Sequence, residues 1–476
     1  MFSQYGTQEL EAQSAAEESQ RWAEQLEAYL RPYRERWDAF LDSRVVGNLT
    51  AAVAGILQTR SALTLSEVGS TLCGPDHAEA GSQRLQRAMH HQGWKASLIE
   101  QVMLEQAEAH RQQIEQAGDT PLCVWDGSVL EKPESRLLEG LGTVRSSRVR
   151  RLARSRAGLF NRPGVPVSVR GFEWESVLLV GLRGVPHLAA TRWWSREKPQ
   201  VGQQRQVQAS LLRQVAGRWG RRVRHIFDRG YGTAPWLAEL SMWRVRFVVR
   251  WKKGNKLLDR DGQSRKAWHI TRGKRSWGEA RLLWDRAHRG YRQTQVVAVP
   301  VRHPEYQGDL WLVVVRQGKG REPWYLLTNE PVDSHEQAWE IALSYARRWQ
   351  IEESFRFEKS ELDIESVRLQ AWEPRYKWLM LLTLAHGFLL SLLAPCRPLL
   401  LARARLLRHW GQRADWRQWK AKTPLYRLRW ALSRLWLTHP PTFSHCQPYR
   451  PLTHVTWPPG SFRWWTTLWH LSGYVF

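Results

Sequence analysis

The runs PLCVWDG (121–127) and VRHIFDRGYG (223–232) decide how this chain is read. Each is a short apolar segment that ends on an aspartate, Asp126 in the first and Asp228 in the second, with glycine close behind. That pattern predicts a buried strand whose terminal acid is pushed out of the core toward a cleft. Taken singly, each aspartate reads equally well as a turn residue, because Asp-Gly is a frequent turn pair. Runs of the same β-branched texture surround them, VPVSVRG, WESVLLVGL, HLAATRWW and VRFVVRW, and QVQASLLRQVAGRW reads as a helix before the second aspartate run. This part of the chain is therefore α/β.

Residues 1–115 lack strand-like runs and predict a helical N-terminal domain suited to DNA binding. Within it, TLSEVGSTLCGPDHAEAGSQRLQRAMHHQGW reads as helix, turn and helix, broken at Gly74-Pro75-Asp76, with Arg84, Arg87 and His90 on one stripe. Residues 116–255 form the first part of the α/β domain. Residues 256–332, with QTQVVAVPV, LWLVVVRQ and WYLLTN, predict a β-rich insertion. Helix returns in 333–395, where Ser334 and Gln337 make a capping-box start. Residues 396–476 are basic, rich in tryptophan and poorly periodic.

The chain carries 71 Lys+Arg against 45 Asp+Glu, a formal charge of +26, and so suits a polyanionic partner, nucleic acid above all. Its 29 tryptophans serve stacking on bases and core packing equally well. Cys73, Cys123, Cys396 and Cys446 lie far apart without a zinc spacing, which predicts free thiols in a reducing compartment. MFSQYGTQELEAQSAAEESQ lacks the basic flank and apolar stretch of a secretory signal, so a cytoplasmic protein is expected. WLMLLTLAHGFLLSLLA (378–394) approaches the length of a membrane span but contains Thr383, His386 and Gly387, and is read as a buried core helix.

The stretch YARRWQIEESFRFEKSELDI (345–364) supplies a third acid. At about 100° per residue, Tyr345, Arg348, Glu352 and Lys359 fall at roughly 0°, 300°, 340° and 320°, one stripe of a single helix. Glu353 lies about 100° further round than Glu352, while Ile351, Phe355 and Leu362 line the adjacent apolar face. Three carboxylates from three separate elements suit two hard divalent cations about 4 Å apart, which activate a nucleophile at a phosphodiester and stabilise its leaving oxygen. Arg348 and Lys359 would hold backbone phosphates beside them.

Tyr345-x2-Arg348-x3-Glu352-x6-Lys359 resembles the Y-R-E-K signature of bacterial insertion-sequence DDE transposases. DGSVLEKPES, HIFDRGYG and WQIEESF then correspond to its three acids, Asp126, Asp228 and Glu352, and the resemblance covers roughly residues 120 to 395. It implies a ribonuclease H-like mixed sheet flanked by helices, interrupted by a β-rich insertion between the second and third acids. It also implies cut-and-paste transposition: binding of the element's terminal inverted repeats in double-stranded DNA, cleavage with two Mg²⁺ ions (Mn²⁺ substituting), and joining of the 3′-hydroxyl ends to target DNA. A dimer synapsed on DNA, association with the nucleoid when bound, and no membrane or small-molecule partner go with it. Trp324, 21 residues before Tyr345, looks like the family's tryptophan that stacks on a flipped base during hairpin formation, and reads equally as a strand tryptophan in the core. Two other classes remain open: a ribonuclease H-like nuclease or resolvase without strand transfer, and a domesticated DNA-binding protein that keeps the fold.

Overall fold

A computed structural model describes residues 2–146, 154–156, 159–160, 167–198, 202–285, 290–318, 320–411 and 425–443. Five helices open the chain: α1 (Phe2–Asp38), α2 (Ser43–Gln58), α3 (Leu65–Cys73), α4 (Ala78–His90) and α5 (Ala96–Gln116). Asp42 caps α2 by accepting from the Arg44 amide, and Thr64 caps α3 by accepting from Glu67. The predicted break stands at Gly74, whose φ of 88° a side chain would resist. Helices α3 and α4 cross backbone to backbone, since a Cβ on Gly81 would lie 2.1 Å from the Gly69 carbonyl oxygen.

Among the described residues fourteen strands follow in order: β1 (Leu122–Glu131), β2 (Gly142–Arg145), β3 (Arg154–Arg156), β4 (Leu159–Phe160), β5 (Ser168–Val180), β6 (His187–Trp194), β7 (Arg224–Phe227), β8 (Arg246–Arg250), β9 (Lys256–Leu258), β10 (Ser264–Lys266), β11 (Trp277–Asp285), β12 (Gly290–Val301), β13 (Leu310–Arg316) and β14 (Trp324–Thr328). Ten of them make one mixed sheet in the order β11-β12-β13-β14-β8-β7-β1-β5-β2, with β6 also paired to β5. Its centre, β6-β5-β1-β7-β8, has β5 antiparallel to its neighbours and β1, β7 and β8 mutually parallel. That is the ribonuclease H-like arrangement.

Helices cover both faces of the sheet. Successive residues of a strand point to opposite sides. Leu122 and Val124 therefore enter one core, shared with α10 (Trp349–Ser360), α11 (Trp372–Ser391) and the N-terminal helices. Cys123 and Trp125 enter the other, against α6 (Gln204–Trp219) and α7 (Ala234–Trp243). The helical N-terminal region thus shares a core with the sheet. Helix α11, the expected buried helix, is enclosed by α2, α4, α5, α13 (Leu425–Thr438) and β6. Among the described residues no helix is long and apolar enough to cross a membrane. Cys73, Cys123 and Cys396 are free thiols, and Cys446 lies outside the described residues.

Several expectations change. The first strand does not end at Asp126 but runs on to Glu131, because β5 pairs with it over its whole length, Leu122 with Val180 through Glu131 with Gly171. The β-rich insertion, with the short α8 (Ala267–Ile270), joins the central sheet, a placement the sequence did not specify: β14 pairs with β8, so β11–β14 prolong that sheet. The helix that begins at the Ser334 capping box is two helices, α9 (His335–Ala346) and α10. At Arg347 and Arg348 the amides turn to carbonyls three residues back, a tighter turn than the α-helix and one that shifts the angular count across it. The C-terminal region contains α12 (Arg397–Trp410) and α13 within its described part; residues 412–424 and 444–476 lie outside it.

The glycine crossing gives a paired test. Gly81→Ala forces the α3–α4 backbones apart and is expected to destabilise the protein by about 1–3 kcal/mol. Gly217→Ala, exposed within α6 with nothing near its missing Cβ, is expected to stabilise by about 0.5–1 kcal/mol. Denaturant unfolding of both variants checks the contrast.

Candidate active site

Residues 122–124 of β1 pair in parallel with 224–226 of β7, each partner 102 residues on. Asp126 and Asp228 are separated by the same 102 residues, so they stand at one level, two residues beyond the last paired position. Alternation turns both toward the α10 side of the sheet, because Val124 and Ile226 face that core. Neighbouring strands lie about 4.8 Å apart, so two ionised carboxylates here repel by on the order of 3 kcal/mol at an effective dielectric near 20. The Gly127 amide donates to Asp126 Oδ1 at 2.9 Å and the Gly230 amide to Asp228 Oδ1 at 2.6 Å, which orients each acid locally. Burial, then Asp228, raise Asp126 to about 7 against the pull of Arg348, with Glu352 adding to the rise.

Glu352 reaches the same place from the first turn of α10, which packs on β1 and β5. The Arg348 guanidinium joins the acids, 3.4 Å from Asp126 Oδ2 and paired with Glu352. The other signature residues surround this pair. Tyr345, 4% exposed, packs its ring 5.1 Å from Trp324 and 5.9 Å from the Arg348 guanidinium carbon. Lys359, two turns beyond Glu352, holds its ammonium 5.3 Å from the centre of the Trp174 ring. All seven sequence-derived residues thus lie on adjoining elements, with Asp126 and Glu352 paired to Arg348, Asp228 level with Asp126, and Trp324 against Tyr345.

Sequence reading missed a fourth carboxylate. Glu175 of β5 lies opposite Gly127 and on the far face of the sheet from the three acids, 1% exposed. It accepts from the Tyr231 hydroxyl and, at 3.0 Å, from Gln208 of α6. Burial raises it to about 8; those two hydrogen bonds oppose the rise, and Asp126 and Asp228 add to it. The only sequence signal was an acid between Trp174 and Ser176 inside an apolar strand run. A cleft of about 410 Å³ opens beside Asp126 and Asp228, lined also by Gln204, Arg205, Gln208 and Trp236.

Residues 196–388, which hold Asp228, Glu352 and the spaced signature but not Asp126, match the family described as Transposase DDE domain. Over that stretch the chain is similar to DDE transposases. No curated protein matches the chain. Among solved structures, the cryo-EM structure of a piggyBac transposase synaptic complex with hairpin DNA is similar at 10% identity and a TM-score of 0.33, over 66% of this chain. The likeness spans about half of that protein, 51%, and the fold assignment rests instead on the strand order described above.

DDE transposases use divalent metal ions, and the donor set here fits one. It consists of hard carboxylate oxygens; burial and then their mutual repulsion raise Asp126, and a cation between them would relieve the repulsion. Among the described residues no three acidic, histidine or cysteine side chains already close on one point, and Arg348 bridges two of the three acids. Removing one buried charge should therefore help the metal-free fold. Asp126→Asn is expected to leave the thermal midpoint in EDTA unchanged or higher, and to abolish the midpoint rise that Mn²⁺ gives the unaltered protein. Differential scanning calorimetry with and without Mn²⁺ reads both.

Proposed function

We propose that this chain is a DNA transposase of the bacterial insertion-sequence type, which cleaves the ends of its own element and joins them to target DNA. The observation that carries the reading is the level placement of Asp126 beside Asp228, with Glu352 brought to them across Arg348, on a sheet whose later part matches a transposase DDE domain. Asp126, Asp228 and Glu352 would hold two Mg²⁺, with Mn²⁺ able to substitute. When bound, these ions lower the pKa of a nucleophilic water or hydroxyl and neutralise charge on the leaving oxygen.

The chain's own groups do the rest. In hydrolysis of each end the water oxygen bonds to phosphorus as the P–O3′ bond breaks, and the water's proton ends on the departing oxygen, which leaves a 3′-hydroxyl. That hydroxyl then attacks a target phosphodiester, one P–O bond forming as another breaks. Arg348 and Lys359 hold backbone phosphates, Arg348 exchanging its carboxylate partners for phosphate oxygens of the same geometry. Tyr345 hydrogen-bonds the backbone near the cleavage point, and Trp324, against it, is set to stack on a base displaced from the duplex. The N-terminal helices take part in binding the terminal inverted repeats, and two protomers synapse the two ends.

A plasmid carrying the inverted repeats that flank the reading frame tests this. In Mg²⁺ the protein is expected to nick at the repeat ends, and pre-cut ends to be joined to a second duplex; cleavage without joining would instead make it a nuclease. Asp126→Asn, Asp228→Asn and Glu352→Gln should each lose more than the roughly 10–100-fold typical of outer-shell partners, while Glu353→Gln keeps most of the activity. Equal loss from Glu352→Gln and Glu353→Gln would reject the assignment of the third acid. Repeat binding is expected to weaken about 10³–10⁵-fold between 50 and 200 mM salt, as for 6–10 phosphate contacts.

A further inference from the structure

Gly127, directly after the first acid, has no side chain, and the space it leaves is filled from the neighbouring strand. A Cβ on Gly127 would stand 3.0 Å from Glu175 Oε2, so the carboxyl packs against the glycine closely enough that any side chain there would make it shift. Its two oxygens are both engaged. One accepts from Gln208 of α6 at 3.0 Å, and the other from the hydroxyl of Tyr231. Tyr231 closes the turn that carries the second acid, its amide donating to the Asp228 carbonyl at 3.3 Å, and its ring packs 5.1 Å from Phe227. Glu175, on the strand paired with that of Asp126, therefore ties the turn of Asp228 and the helix behind it to that pair through one buried side chain.

We propose that Glu175 is a positioning residue that clamps the Asp228 turn to the Asp126 strand, and so sets the spacing of these two acids for the divalent cation. It lies on the opposite face of the sheet from the acids and touches neither DNA nor metal. The inference rests on the transposase reading for the cleavage step, but its core claim concerns metal affinity and is measurable without cleavage. Outer-shell partners that orient ligands commonly matter by 10–100-fold in metal affinity or activity.

The test uses the full-length protein with Glu175→Ala, Glu175→Gln and Tyr231→Phe. Three readouts are taken: the Mn²⁺-induced rise in thermal midpoint, the Mg²⁺ concentration giving half-maximal cleavage, and repeat-DNA affinity in EDTA. Glu175→Ala is expected to weaken apparent metal affinity about 10–100-fold with DNA affinity in EDTA unchanged. Tyr231→Phe, which removes only one hydroxyl, should reproduce a several-fold part of that loss. Glu175→Gln keeps the size and an acceptor for Tyr231, so it should restore metal affinity to within a few-fold. Unaltered metal dependence in both Glu175→Ala and Tyr231→Phe would overturn the proposal. So would a parallel fall of DNA affinity and metal-free stability in Tyr231→Phe, which would mark a merely structural contact. If the unaltered protein shows the Mn²⁺ response but never cleaves repeat DNA, the transposase reading fails while the clamp is still decided by the metal shifts.

Discussion

The parallel ladder between β1 and β7 stops after Val124 and Ile226, and β1 then continues alone against the long strand β5. The rest of the site depends on that register. A shift of one residue would turn Asp126 to the opposite face, while Asp228 stayed where it is. Held in this register, the two acids are level and close, and their repulsion is opposed by Arg348 from the turn between α9 and α10. The tight turn at Arg347 and Arg348 is thus part of the site, because it delivers the guanidinium to one acid on the sheet and one on its own helix.

The basic excess of the chain has two uses, which composition could not separate. Part of it is structural. Lys377 in α11 donates to the carbonyls of Met89 and His91, and Arg375 to those of Leu369 and Gln370. Lys132 reaches the carbonyl of Val367 at 2.6 Å, and Arg224 is paired with Glu330 and Glu340. Lys377, Arg375 and Lys132 thus serve carbonyls at loop and helix ends, and Arg224 serves two carboxylates. They tie the N-terminal helices, the sheet and α11 together, so the total charge overstates what is available to a polyanion. Arg84, read from sequence as sharing one helical stripe with Arg87 and His90, likewise donates to Asn48 at 2.9 Å within the helical region.

Strands were legible where apolar runs were short and bounded by turn residues, as in β6, β7 and β13. The helices α6 and α9 were legible from their spacing and, for α9, from the Ser334 capping box. Boundaries failed where a distant partner sets them. Nothing local in Gly127-Ser128-Val129 says that the strand continues past Asp126; the length of β5 does. The break between α9 and α10 escaped a periodicity count because both linking residues, Arg347 and Arg348, keep right-handed helical angles and only the hydrogen-bond partners change. Helix α7 escaped because its apolar residues surround it rather than forming a stripe.

By itself, the sequence determined the residue types of the site, the order of its elements and the separation of 102 residues between the first two acids. These are properties of local pattern and spacing, which no folding step alters. Only the tertiary structure decided that this separation is also the strand register, that the insertion prolongs the central sheet, and that Glu175 stands behind Gly127 against Tyr231 and Gln208. The reason is that a strand's partner and a carboxyl's hydrogen-bond donors come from chain tens of residues away. Their placement is set by burial and pairing across the whole sheet, which local sequence does not encode.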